Sequence, residues 1–138
     1  SKTLQRIERA GNYLWWMRQL RIDHSLEDGQ ELPFWGGLRV VHLPGHTPGH
    51  VAFDSASRRL LFAADAILSR GSRVFFPSRV MNSDDRLART SVLRLVDLDI
   101  DWVYPAHHRD LGHNLMEDIR RYASTRAHEA AGQGETPS

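Results

Sequence analysis

Three histidines stand four residues apart in "HLPGHTPGH", at His42, His46 and His50. Imidazole changes charge near neutral pH and is the commonest side-chain ligand for borderline divalent metals. On a helix this spacing would align all three rings on one face. That is excluded here, because Pro44 and Pro48 each remove a backbone donor and Gly45 and Gly49 follow them, so the segment is predicted to be a bent loop. "LRVVHL" before it and "HVAFDS" after it read as strands, and loops held by a rigid sheet are where ligand groups gather. From the loop alone a second reading stays open, in which the imidazoles only bond neighbouring backbone. Two other places resemble it in kind. Asp65 closes "LLFAAD", a carboxylate directly after an apolar run, and His107 and His108 follow the strand "DWVYPA". Three strand ends that close on His or Asp supply the donor types that hard and borderline divalent metals prefer.

These residues need a sheet to hold them, and the pattern supplies one. Strands are expected at about 38–43, 50–54 and 59–64, with Asp28-Gly29 and Gly36-Gly37 as turns. Residues 66–82 show no period and read as a long connection. Ser83, Asp84 and Asp85 supply the cap and first-turn acids of a helix through about Val96, and Pro105 stops the next strand. A last helix starts near Asn114 with Glu117 as capping-box partner. Residues 3–20 read either as one helix, apolar on both sides around Trp15, Trp16 and Met17, or as two short helices broken at Gly11-Asn12. The reading is a single domain over residues 1–129 with a disordered tail at 130–138.

Composition narrows the chemistry. The 18 basic and 17 acidic side chains nearly cancel, so neither a nucleic-acid partner nor a membrane surface is expected. With no cysteine in the chain, any metal must be held by His, Asp or Glu. There is no run of transmembrane length and no signal-peptide pattern, which leads to the expectation of a cytoplasmic protein.

The stretch "LRVVHLPGHTPGHVAFDSASRRLLFAADAI", followed by "DWVYPAHH", closely resembles the metallo-β-lactamase superfamily of metal-dependent hydrolases. The resemblance runs from about Ser25 to the last helix. It implies an α/β fold, half of a four-layer αββα sandwich, with a mixed, mainly antiparallel sheet and flanking helices. It also implies that His46 is a metal ligand, that Asp65 is the catalytic carboxylate bridging two metals, and that His107 is a ligand of the other metal. The implied metal is zinc, with manganese or iron as alternatives. His50 resembles a residue that supports the ligands from behind, His108 is read as a similar neighbour of His107, and His42 carries no family role. Two departures stand out. Ala64 occupies a position where the family often has Gly, and the upstream signature H-x-H-x-D-H is missing, His24 being the only earlier histidine. The chain therefore resembles the C-terminal half of the family fold.

Two classes of function follow. One is a metal-dependent hydrolase of esters, thioesters or lactones that takes a small-molecule substrate. The other is a catalytically inactive half-fold acting as a homodimeric binding module, or one chain of a split hydrolase. In either case the expected partner is a second copy or a missing N-terminal half, because a lone half exposes an apolar face. Six arginines, at 70, 73, 79, 86, 89 and 94, read as a solvated face or as a greeting for an anionic substrate.

Overall fold

The computed structural model describes residues 21–70, 73–107, 112–113 and 115–132. The N-terminal helix expected over 3–20, His108, and the cap at Asn114 lie outside them. Eight strands are described: β1 Glu31–Leu32, β2 Leu38–His42, β3 Val51–Ser55, β4 Leu60–Ala64, β5 Leu68–Arg70, β6 Arg73–Phe75, β7 Trp102–Pro105 and β8 Gly112–His113. Helix α1 spans Asp85–Ser91 and α2 spans Leu115–Gly132. Six strands form one sheet in the order β1-β2-β3-β4-β7-β8, in which only the β4–β7 pair is parallel. This is the α/β architecture with a mixed, mainly antiparallel sheet that the sequence predicts.

Alternation along the strands divides the sheet into two faces. Val41, Ala52, Leu61, Ala63 and Val103 point to one side and join Val92, Leu95, Leu115, Met116 and Ile119 in a single buried core. Each fully buried Val, Leu, Ile or Met side chain there contributes about 1.5–3 kcal/mol. The opposite face carries an aromatic row in which Trp35 meets Phe62 with ring centroids 5.5 Å apart, and Phe62 meets Tyr104 at 5.7 Å. Phe62 and Tyr104 are only half-buried.

The connection at 66–82 departs from expectation, because it contains the β5–β6 ribbon and a 3-10 turn at Arg79–Met81. Three-residue strands are too short to show a two-residue period, which is why the sequence hides them. Helix α1 starts as read, with Asp84 Oδ1 accepting from the backbone N–H of Leu87, but it tightens into a 3-10 turn over Val92–Leu95. Helix α2 runs past Glu129 to Gly132, so residues 130–132, expected to be disordered, are helical, and the rest of the expected tail lies outside the described residues; Ala130 and Ala131 are strong helix formers and carry the helix on.

Ala64 has a φ of 48°, in the left-handed region, at an irregularity in the β4–β7 pairing. Here lies the reason a glycine suits this position. The left-handed backbone costs an alanine about 1–2 kcal/mol, and a glycine loses about 0.5–1 kcal/mol more backbone entropy on folding. Ala64→Gly is therefore expected to stabilise the fold by roughly 0.5–1 kcal/mol, a rise of about 2–4 °C in Tm. A thermal melt showing a lower Tm for the variant would contradict this.

Candidate metal centre

Topology brings the sequence-predicted residues to one edge. Because β4 and β7 are parallel neighbours, their C-terminal ends lie side by side, and the backbone N–H of Ala106 donates to the carbonyl of Ala64 at 2.9 Å. Asp65 and His107 follow directly. Because β3 is antiparallel to β4, its first residues reach the same edge, with His50 just before Val51. β2 ends there too, so the loop that leaves it carries His46 to the same place.

That loop is braced at every turn. The backbone N–H of Leu43 donates to the carbonyl of His50 at 2.8 Å, and His42 Nε2 lies 2.9 Å from the carbonyl oxygen of Pro48. Asp28 accepts from the backbone N–H of His42, and Arg94 both donates to the carbonyl of His42 and pairs with Asp28 at 2.7 Å. So His42 holds the loop closed, and Arg94 is a strut rather than a free surface charge. On the far side, the backbone N–H of Asp84 donates to the carbonyl of Gly45 at 2.8 Å, and that of Ser83 donates to the carbonyl of His46 at 3.1 Å. Gly45, at φ 130°, lies so near α1 that a Cβ would sit 2.0 Å from the backbone nitrogen of Ala88.

Asp65 is the hub. His46 Nε2 lies 3.9 Å from its Oδ2, and His107 Nε2 lies 3.3 Å from its Oδ1, so each carboxylate oxygen faces a different imidazole. His46 is mostly enclosed, at 20% exposure, whereas His107 is open at 74%. Two ligands of one tetrahedral zinc, each about 2.0–2.1 Å from the ion, are about 3.3 Å apart. The His107–Asp65 gap matches that span and the His46–Asp65 gap is slightly longer. The donors therefore fit zinc, or manganese or iron, in kind. They fit as two pairs on either side of Asp65, and among the described residues no three His, Asp or Glu side chains close on a single point.

His50 is buried and supports Asp65, accepting from its backbone N–H on Nε2 at 3.1 Å. That bond needs the lone pair on Nε2, which puts the ring proton on Nδ1, where no partner is found among the described residues. Burial, and then the neighbouring His46, lower the pKa of His50 and keep it neutral.

Sequence reasoning missed Asn82. Its Oδ1 lies 3.2 Å from His46 Nδ1, and its Nδ2 donates to Asp85 Oδ1 at 2.9 Å. Asp85, read as a first-turn acid of α1, also accepts from Arg89 at 2.9 Å. No spacing rule would have found Asn82, which closes the aperiodic connection and meets a residue far away in the chain.

A family profile described as the metallo-beta-lactamase superfamily matches residues 8–107. A relative called beta-lactamase-like protein 2 homolog, from Caenorhabditis elegans, is 33% identical over 61% of this chain and 26% of its own length. A hydroxyacylglutathione hydrolase from Aeromonas salmonicida is 34% identical over 59% of this chain and 30% of its own. Among solved structures, TTHA1623 in a di-iron-bound form superposes with a TM-score of 0.57 at 32% identity, over 75% of this chain and 48% of that one. The chain thus spans about a third or less of the length of these curated relatives.

Proposed function

Because the chain belongs to the metallo-beta-lactamase superfamily, we propose that it carries one part of a metal-dependent hydrolase centre, with His46, Asp65 and His107 as the ligands. The observation that carries this reading is the placement of a different histidine against each oxygen of Asp65. When bound, a divalent ion supplies Lewis acidity and lowers the pKa of water toward neutrality. His46 and His107 would each offer a lone pair on Nε2, and Asp65 would offer one oxygen to each side. His50 holds the backbone of Asp65 in place, and the Pro and Gly turns keep the His46 loop aimed at the sheet edge. The substrate class is an ester, thioester or lactone; a relative named for hydroxyacylglutathione acts, by that name, on an acylated thiol.

Ligand number then decides what the chain does alone. A catalytic zinc ordinarily keeps three protein ligands, and each pair here supplies two. Full activity needs further ligands beyond His46, Asp65 and His107, whatever chain or segment supplies them. The half-buried Phe62 and Tyr104, continued by Trp35 at 55% exposure, form an apolar face such an addition would cover. No helix among the described residues is long and apolar enough to cross a membrane.

The test combines metal analysis, solution mass, and hydrolysis of thioester, lactone and β-lactam substrates with added zinc, manganese or iron. At a mass near 15.8 kDa the expected outcome is weak metal binding that is lost when His46, Asp65 and His107 are replaced together, with little hydrolysis. Hydrolysis is expected when the mass doubles or when a chain bearing H-x-H-x-D-H is added. Metal binding indifferent to the three replacements would refute the ligand assignment.

A further inference from the structure

We propose that Asn82 is a positioning residue that fixes His46 as its Nδ1–H tautomer, leaving the Nε2 lone pair aimed toward Asp65, and that Asp85 and Arg89 fix Asn82. The inference rests on the reading of His46 as a ligand.

Arg89 can only donate, and its Nε bonds Asp85 Oδ2 at 2.9 Å while its guanidinium lies over the Phe76 ring, 5.8 Å from the centroid. Phe76 itself packs at a tilt against Tyr122 of α2 with centroids 4.2 Å apart, so the cation is held between two helices. Beside it Asp85 stays ionised, its carboxyl lowered first by the Arg89 bond and then by Asn82. An ionised carboxylate only accepts. The Asn82 amide must therefore turn its NH2 toward Asp85, over the observed 2.9 Å, which leaves its oxygen facing His46 Nδ1 at 3.2 Å. An amide oxygen also only accepts, so the proton of a neutral His46 sits on Nδ1 and the lone pair on Nε2. Nε2 is the atom that faces Asp65 Oδ2. In metal sites such partners of ligand histidines set the tautomer and ring orientation, and losing one costs about 10–100-fold in metal affinity.

The direct readout is the tautomer of His46 in the metal-free protein, from ring-nitrogen chemical shifts at about pH 8.5, two units above the ordinary histidine pKa. The His46 signals are assigned by their loss in His46→Gln. Wild type is expected to be Nδ1–H. Asn82→Leu, similar in size but without an acceptor, should give a mixture or the other tautomer, and zinc affinity should fall about 10–100-fold. Asn82→Asp alone would set a second carboxylate against ionised Asp85, but the double variant Asn82→Asp/Asp85→Asn keeps both an acceptor for His46 and a donor to position 82 and should restore both. Should Asn82→Leu not fold, Asp85→Asn serves instead, because an amide there no longer dictates which way Asn82 turns and should also mix the tautomers. An unchanged Nδ1–H tautomer in Asn82→Leu or in Asp85→Asn would overturn the proposal. Because the tautomer is read without metal, a wild-type protein that bound no zinc would refute the ligand assignment and leave this measurement decisive for Asn82.

Discussion

Gly45→Ala is expected to destabilise the protein by about 3–5 kcal/mol, a fall of roughly 10–20 °C in Tm, and to remove metal binding at the same time. Two independent costs add. The φ of 130° at this residue is strained for any side chain, at about 1–3 kcal/mol. The new methyl would also meet the backbone of Ala88, whose nitrogen lies 2.0 Å and Cα 2.3 Å from it. That neighbour is helix α1 and cannot swing aside as a flexible side chain would. Relief requires the loop to lift from α1, which breaks the bonds from Ser83 and Asp84 to the carbonyls of His46 and Gly45. His46 then loses its place beside Asn82 and Asp65. Gly49 is the control, since a Cβ there meets nothing within 4 Å and its φ is not in the left-handed range. Calorimetry on the two variants decides the matter: equal melting temperatures would mean that the contact between loop and helix does not carry the loop.

Replacing Asp65 with alanine is expected to lower zinc affinity at least about 100-fold, a loss near 2.7 kcal/mol, while changing stability far less. The carboxylate is the one group that faces both histidines, so its removal strips a proposed ligand from each side at once. Removing His107, which is 74% exposed and belongs to one side only, should spare the other side and cost less. Stability is protected because the side chain of Asp65 is 35% exposed and its backbone bond to His50 survives the change. Competition against a chromophoric chelator measures the affinity, and a thermal melt the stability. Equal affinities for wild type and Asp65→Ala would place any bound ion elsewhere.

Which parts of this molecule could be read in advance follows from how local their causes are. Proline and glycine decide the backbone over a few residues, so "LPGHTPGH" announces a bent loop whatever surrounds it. Apolar runs announce strands in the same way, and a His or Asp that ends each of three of them points to one sheet edge. What was hidden depends on distant partners. Arg94 is spoken for by Asp28 and His42, and Asn82 by His46, across separations that no periodicity encodes. The left-handed turn at Ala64 was hidden for another reason, because alanine ordinarily avoids it and only the resemblance marked the position.

The parallel pairing of β4 with β7 sets the order in which the candidate centre comes together. Strands β2, β3 and β4 are joined by short connections, and their antiparallel pairs need only modest loop closures, so His50 and Asp65 can meet early. His107 arrives with β7, after the whole crossover through the ribbon and α1 has been closed, and non-local closures of that kind are slow. The expected order of assembly therefore has a stage that holds His50 against Asp65 before His107 docks. Slowing the docking of β7, for example by breaking the pairing of Arg59 with Asp99 and Asp101 at its start, should lengthen that stage and leave the assembled centre unchanged.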